Sequence, residues 1–151
     1  MNYENLRISK LRSYLFNVIN TLTDDRNYQI NADMLGSIDD FSLNKIPTNT
    51  EIEKWIFGVT IRKDVYSFRS RKSYSQDTIN NLLNIGFFEQ FENLIKSNND
   101  RGILPEIENI ESIECLNCGA MALNDNGNSA IFDIQIQITY REQNDEGGLS
   151  L

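Results

Sequence analysis

The chain has 151 residues, 40% of them hydrophobic and 10% aromatic, with a formal net charge of −8 and no histidine. A chain of this size fits one domain that buries about 68–70% of its unfolded surface, and no run approaches the roughly 20 apolar residues a membrane-spanning helix needs. Net acidity opposes binding to nucleic-acid backbone or anionic membrane through bulk charge, and the lack of histidine removes the commonest general base near neutral pH and the commonest zinc and iron ligand.

Met1 to Lys10 is mixed polar and charged, without the apolar block of a signal peptide, so export is not indicated. Ile8, Leu11, Leu15, Val18, Ile19 and Leu22 then recur at three- and four-residue steps, which predicts an amphipathic helix within residues 1–24. Arg7, Lys10, Arg12, Asn17 and Asn20 fall on its other faces, and Thr23-Asp24-Asp25-Arg26-Asn27 supplies turn formers at its end. Residues 28–53 carry little periodicity. Phe41, Leu43 and Ile46 predict a short strand before Pro47, and the rest is expected to be loop, largely exposed and a candidate contact surface.

From Lys54 to Lys72 the chain becomes β-rich and basic. Trp55, Phe57, Val59 and Ile61 alternate, Arg62-Lys63-Asp64 interrupts, and Tyr66, Phe68 and Ser70 resume on the other parity. A hairpin or a bulged long strand each shifts parity in this way. Lys54, Arg62, Lys63, Arg69, Arg71 and Lys72 are six of the chain's 14 basic residues, with Asp64 the only acid among them. Ser75 as N-cap and Asp77 in the first turn open a second helix, predicted over about Gln76 to Lys96 with Ile79, Leu82, Leu83, Phe87, Phe91, Leu94 and Ile95 as its stripe. Gly86 within that stripe predicts close approach of another backbone. Gly102 and Pro105 end the helix.

The clearest pattern comes last. Ala130, Phe132, Ile134, Ile136, Ile138 and Tyr140 alternate with Asp133, Gln135, Gln137, Thr139 and Arg141, a half-buried strand. Asn124 to Asn128 predicts a hairpin loop back to a partner strand within 110–123. Cys115 and Cys118 form a lone Cys-x-x-Cys with no further Cys or His to complete a zinc site and no helix pattern after them, so they are expected to be core or near-core thiols. Strands that come in adjacent pairs predict an α+β domain over 1–151. Its sheet is mainly antiparallel, with the N-terminal helix and a long central helix on one face, residues 54–142 as sheet plus central helix, and 143–151 as a flexible tail.

No Gly-rich phosphate loop, nucleophile elbow or metal-ligand cluster is present, and no enzymatic activity or cofactor is expected. The basic stretch has two candidate partners. Nucleic acid would take phosphate contacts, with Tyr66, Phe68 and Tyr74 as stacking aromatics. A second copy of the chain would offer Glu106, Glu108, Glu111 and Glu114, and Glu142, Asp145 and Glu146 beyond them, as the opposite charge of a head-to-tail ring. Against both stands a solvated strand face whose charges pair locally.

Tyr74-Ser75-Gln76-Asp77, the helical Asn84-Ile85-Gly86-Phe87-Phe88-Glu89, Arg101-Gly102-Ile103-Leu104-Pro105, Ile110-Glu111-Ser112-Ile113-Glu114 and the closing Ile136-Gln137-Ile138-Thr139-Tyr140 together resemble the minor capsid, tail terminator or tail completion proteins of bacteriophages and phage-derived particles. The resemblance covers approximately Lys54 to Glu142. It implies an α+β subunit assembling as a ring, commonly a hexamer, at the head-proximal end of the tail. There it stops growth of the tube and docks the neck or head connector. It implies a virion protein made in the bacterial cytoplasm, partnered by tail tube and connector proteins, with DNA only passing through the lumen and no membrane contact. No catalytic residues come with it, and Cys115 and Cys118 depart from its pattern. For the contact between copies the expected residues are Arg62, Lys63, Arg69, Arg71, Lys72, Glu106, Glu108, Glu111, Glu114, Gln135 and Gln137.

Overall fold

A computed structural model describes residues 2–23, 28–32, 40–48, 51–54, 58–73, 78–117, 120–125 and 129–143, with backbone alone for 51–54, 72–73, 78–85, 120–125 and 129–130. After a 3-10 turn at Tyr3–Asn5 come helix α1 (Arg7–Leu22), strands β1 (Ile30–Ala32), β2 (Phe41–Ile46), β3 (Glu51–Lys54) and β4 (Val59–Ser73), helix α2 (Thr78–Asp100), and strands β5 (Ile110–Cys115), β6 (Ala120–Asp125) and β7 (Ser129–Gln143). The fold is α+β.

Two 15-residue strands, β4 and β7, form the spine of the sheet and pair antiparallel from Val59 against Gln143 to Ser73 against Ser129. At about 3.4 Å per residue each is on the order of 50 Å long, against about 35 Å for the 23 residues of α2. The other edge of β4 is shared end to end by β2 and β3, and the other edge of β7 by β5 and β6, all antiparallel. β1 adds to β2 in parallel, so the sheet is mixed, with the path β1-β2-β4-β7-β5.

One face of this sheet holds the core. Tyr66 and Phe68 on β4 and Phe132, Ile134, Ile136, Ile138 and Tyr140 on β7 are buried against Leu11, Leu15, Val18 and Ile19 of α1 and Phe88, Phe91 and Ile95 of α2. Aromatic rings run through it as a chain. Tyr28 meets Phe41 edge-on at 5.7 Å between centroids, Phe41 stacks on Phe68 at 5.0 Å, and Phe68 on Phe91 at 5.4 Å. Such pairs add about 0.5–1.5 kcal/mol each beyond area burial.

α1 keeps its apolar stripe and α2 keeps its own over Phe87, Phe91, Leu94 and Ile95, the side chains of Ile79, Leu82 and Leu83 lying outside the described residues. α1 stops at Thr23, whose N–H is donated to the Ile19 carbonyl at 3.0 Å. α2 runs to Asp100 and is closed by Gly102 at φ +74, with Ile103 N–H donated to the Asn98 carbonyl at 2.8 Å. A left-handed residue there lets the chain reverse without a Cβ clash. Ser75 and Asp77, expected at the start of α2, lie outside the described residues, as do Trp55, Phe57, Cys118 and the hairpin tip at 126–128.

Several expectations are corrected. On its edge away from β4, β7 has two partner strands, β5 and β6, in place of the one expected. The segment 28–53, expected to be largely exposed, buries Tyr28, Ile30, Phe41 and Leu43. It contributes three strands, of which β1 is too short to show a period. A Cβ built at Gly86 meets nothing within 4 Å among the described residues, so no backbone among them approaches closely there. The register of β4 with β7 also runs unbroken through Arg62-Lys63-Asp64, with no bulge. The parity switch is a change of face: Ile61 is buried on the face opposite the core, whereas Asp64, Tyr66 and Phe68 lie on the core face.

Candidate functional site

Asp64 stands in β4 on the same face as Tyr66 and Phe68 and is 0% exposed. An ionised carboxylate is buried only where charges and donors replace its water. Arg7, the first residue of α1, brings Nε to 2.9 Å from Asp64 Oδ2, and Lys45 of β2 brings Nζ to 3.6 Å from Oδ1. The Tyr140 hydroxyl donates to Oδ1 at 3.1 Å and the Tyr66 hydroxyl to Oδ2 at 3.4 Å. The Arg7 guanidinium also lies over the Tyr140 ring at 4.6 Å. α1, β2, β4 and β7 therefore converge on one carboxylate.

The electrostatics follow the geometry. Burial, then the neighbouring Asp64 charge, pushes the Tyr140 hydroxyl up to about 12, and the same two causes raise Tyr66 further. Burial acts to lower Arg7, but its hydrogen bond to Asp64 and the charges of Tyr140, Asp64 and Tyr66 hold it above its ordinary value. With two cations and two phenols around it and no exposure, Asp64 has no route to a substrate proton, which general acid–base work requires. Its chemistry is to tie the start of α1 to the sheet. Beside it opens a groove of about 610 Å³ lined by Arg7, Lys10, Glu106, Glu108, Tyr140 and Glu142.

The expected contact residues distribute around this frame. On the sheet face opposite the core, Arg69 Nε lies 3.8 Å from Asp133 Oδ1, and Ser67 donates to the same oxygen at 2.7 Å. Gln137 Nε2 donates to Glu114 Oε1 at 2.7 Å, and Arg141 pairs with Glu111. At the groove, Arg62 Nε is 2.7 Å from Glu142 Oε1. Lys63 and Gln135 are half-buried on that outer face, and the Gln135 carbonyl accepts from Leu116 N–H at 2.8 Å. Arg71 is half-buried with its N–H donated to the Asp40 carbonyl at 3.4 Å. Lys72 lies opposite Ala130, its side chain outside the described residues. Glu106 and Glu108 are exposed on the loop before β5.

Opposite charges are thus interleaved, not gathered on opposite faces as a head-to-tail arrangement of patches would have them. The cause is register. Arg69 sits directly opposite Asp133, and Glu114 directly opposite Gln137, so each reaches its partner across one ladder step. Such pairs are worth about 0.2–1 kcal/mol each at an exposed surface. The nucleic-acid alternative loses two of its three stacking aromatics as well, because Tyr66 and Phe68 are each only 1% exposed. Tyr74 lies outside the described residues.

Sequence reasoning missed Asp64, Arg7, Lys45 and Tyr140 as a unit. The available signal was parity, since counting back by twos from Phe68 and Tyr66 lands on Asp64. Cys115 is half-buried against the core. Among the described residues no group of three or more His, Cys, Asp or Glu is placed to hold a metal, and no helix is long and apolar enough to cross a membrane. Comparison with models of known protein families and with curated proteins finds no match.

Proposed function

We propose that this chain is a structural, non-enzymatic subunit of a bacteriophage or phage-derived tail, a tail terminator that assembles as a ring at the head-proximal end, ends tube growth and docks the connector. The reading takes the mainly antiparallel sheet, with α1 and the long α2 on one face, as the rigid frame of the subunit. The observation that carries it is the outer sheet face, where the ion pairs of Arg69 with Asp133 and Arg141 with Glu111 and the hydrogen bond of Gln137 to Glu114 form a polar ladder. A polar surface of this kind suits contacts between folded copies, which are typically rimmed by charge and hydrogen bonds. The resemblance between Lys54 and Glu142 supplies the tail context, and a net charge of −8 suits a lumen that passes DNA without holding it.

Because the in-chain pairs already engage Arg62, Arg69, Glu111 and Glu114, the reading assigns register between copies to Lys63 on one subunit and Glu106 and Glu108 on the next. Mass measurement and negative-stain imaging of the purified protein, with and without its tail tube, test it. Closed rings are expected. Glu106→Lys with Glu108→Lys should abolish them, and adding Lys63→Glu should restore them. Rings unaffected by the first pair would refute the charge assignment, and a protein that stays monomeric on the tube would refute the ring.

A further inference from the structure

We infer that each helix carries one side chain that closes an edge of the sheet, Arg12 of α1 on β1 and Asn99 of α2 on β5, and that these two edges are thereby shut to a strand of another copy. An open edge presents a row of backbone donors and acceptors that pairs readily with another chain, and proteins blunt such rows with covering groups. β1 and β5 are the two outermost strands of the sheet path, and no strand among the described residues pairs with the far side of either; β3 and β6, each paired only with β4 or β7 among the described residues, are edges that these two side chains do not cover.

At the first edge, Phe41 N–H is donated to the Gln29 carbonyl at 2.8 Å. Successive backbone groups alternate sides along a strand, so the Ile30 carbonyl points away from β2. Arg12 Nε donates to that carbonyl at 2.7 Å, and the Arg12 guanidinium is steadied over the Phe16 ring at 5.8 Å. At the opposite edge Ile113 lies across from Ile138 of β7, yet its N–H is donated outward, to Asn99 Oδ1, at 2.9 Å. Asn99 is in the last turn of α2, and its carbonyl accepts from Gly102 N–H at 3.2 Å, so its position is set by the helix end.

The two contacts come from different helices and reach different strands, one donating to a carbonyl and the other accepting from an amide. Each satisfies one outward-facing backbone group of its edge strand. Edge closure is a property of the fold and holds whether or not copies of the chain build a ring. If they do, sheet faces, loops and the outer edges of β3 and β6 are what remains open to them.

The test uses the full chain as Arg12→Ala, Asn99→Ala and the double variant, followed by light scattering over a concentration series, infrared detection of intermolecular β-pairing, and hydrogen exchange at the Ile113 amide. Opening one edge permits one new pairing, so each single variant should double the wild-type mass and stop there. Opening both permits chain growth, so the double variant should show no fixed size. Ile113 exchange in Asn99→Ala should quicken about tenfold, the effect of one lost hydrogen bond. Asn99→Asp keeps the acceptor and should retain the wild-type mass. Folded single variants of wild-type mass would overturn the inference, and so would growth without limit from one open edge or doubling by Asn99→Asp. Loss of the circular-dichroism signal in Asn99→Ala would make Asn99 a fold-holding residue and overturn it equally.

Discussion

Replacing Arg7 and Lys45 by methionine, singly and together, probes the buried carboxylate directly. Methionine keeps much of each apolar stem and removes only the charge. Asp64 has cations at 2.9 and 3.6 Å. At an effective dielectric of about 20, each contact is worth about 5 kcal/mol before desolvation. The two cationic side chains are 41% and 45% exposed, so screening removes most of that value. Either single change leaves one cation and two phenols on Asp64, and should cost about 1 kcal/mol. The double change leaves a fully buried carboxylate with neutral donors alone, a situation that costs about 3–5 kcal/mol. The cycle should therefore be non-additive by about 1–3 kcal/mol, read as a shift of the urea midpoint at constant slope. Adding Asp64→Asn to the double variant removes the stranded charge and should recover most of the loss. Additive losses totalling under about 1 kcal/mol, or no recovery when Asp64→Asn is added, would refute the account of Asp64 as a carboxylate held by its cations.

Alkaline stability should report the tyrosines. A phenol whose folded pKa lies above its unfolded value of 10.0 keeps its proton longer in the native state, so its contribution is full below pH 10 and is lost as pH rises toward about 12. Tyr140→Phe should flatten that decline, with ultraviolet titration of tyrosinate showing one late-ionising group fewer. Phe91, 0% exposed and stacked on Phe68, should cost about 3–5 kcal/mol when replaced by alanine, measured by denaturant unfolding. Gly102→Ala forces a side chain into left-handed backbone and should cost about 1 kcal/mol, seen as a lower Tm.

The apolar frame was legible because its periods are long. The stripe of α1 and the alternation of β7 each extend over several turns or steps, and burial of Leu11, Leu15, Val18 and Ile19 and of Phe132 through Tyr140 follows them. β1 was not legible, since three residues show no period. Asp64 was misread for a related reason. A charge at a core position looks like an interruption until its partners are known, and Arg7 and Lys45 come from α1 and β2. The basic stretch from Lys54 to Lys72 read as a patch because sequence shows one strand at a time. The acids that neutralise Arg62 and Arg69 lie on β7, more than 60 residues away along the chain.

The long ladder between β4 and β7 gives the molecule a directional stiffness. Val59 and Gln143 sit side by side at one end, and Ser73 and Ser129 at the other. A tug applied at Val59 and Gln143 opens the ladder rung by rung and meets the strength of one backbone bond at a time. A tug at Val59 and Ser129 runs along the strands and loads every rung together. Any assembly that fastens its neighbours to opposite ends of these two strands therefore carries tension through the molecule's strongest axis, while one that grips a single end has fastened itself to a zip.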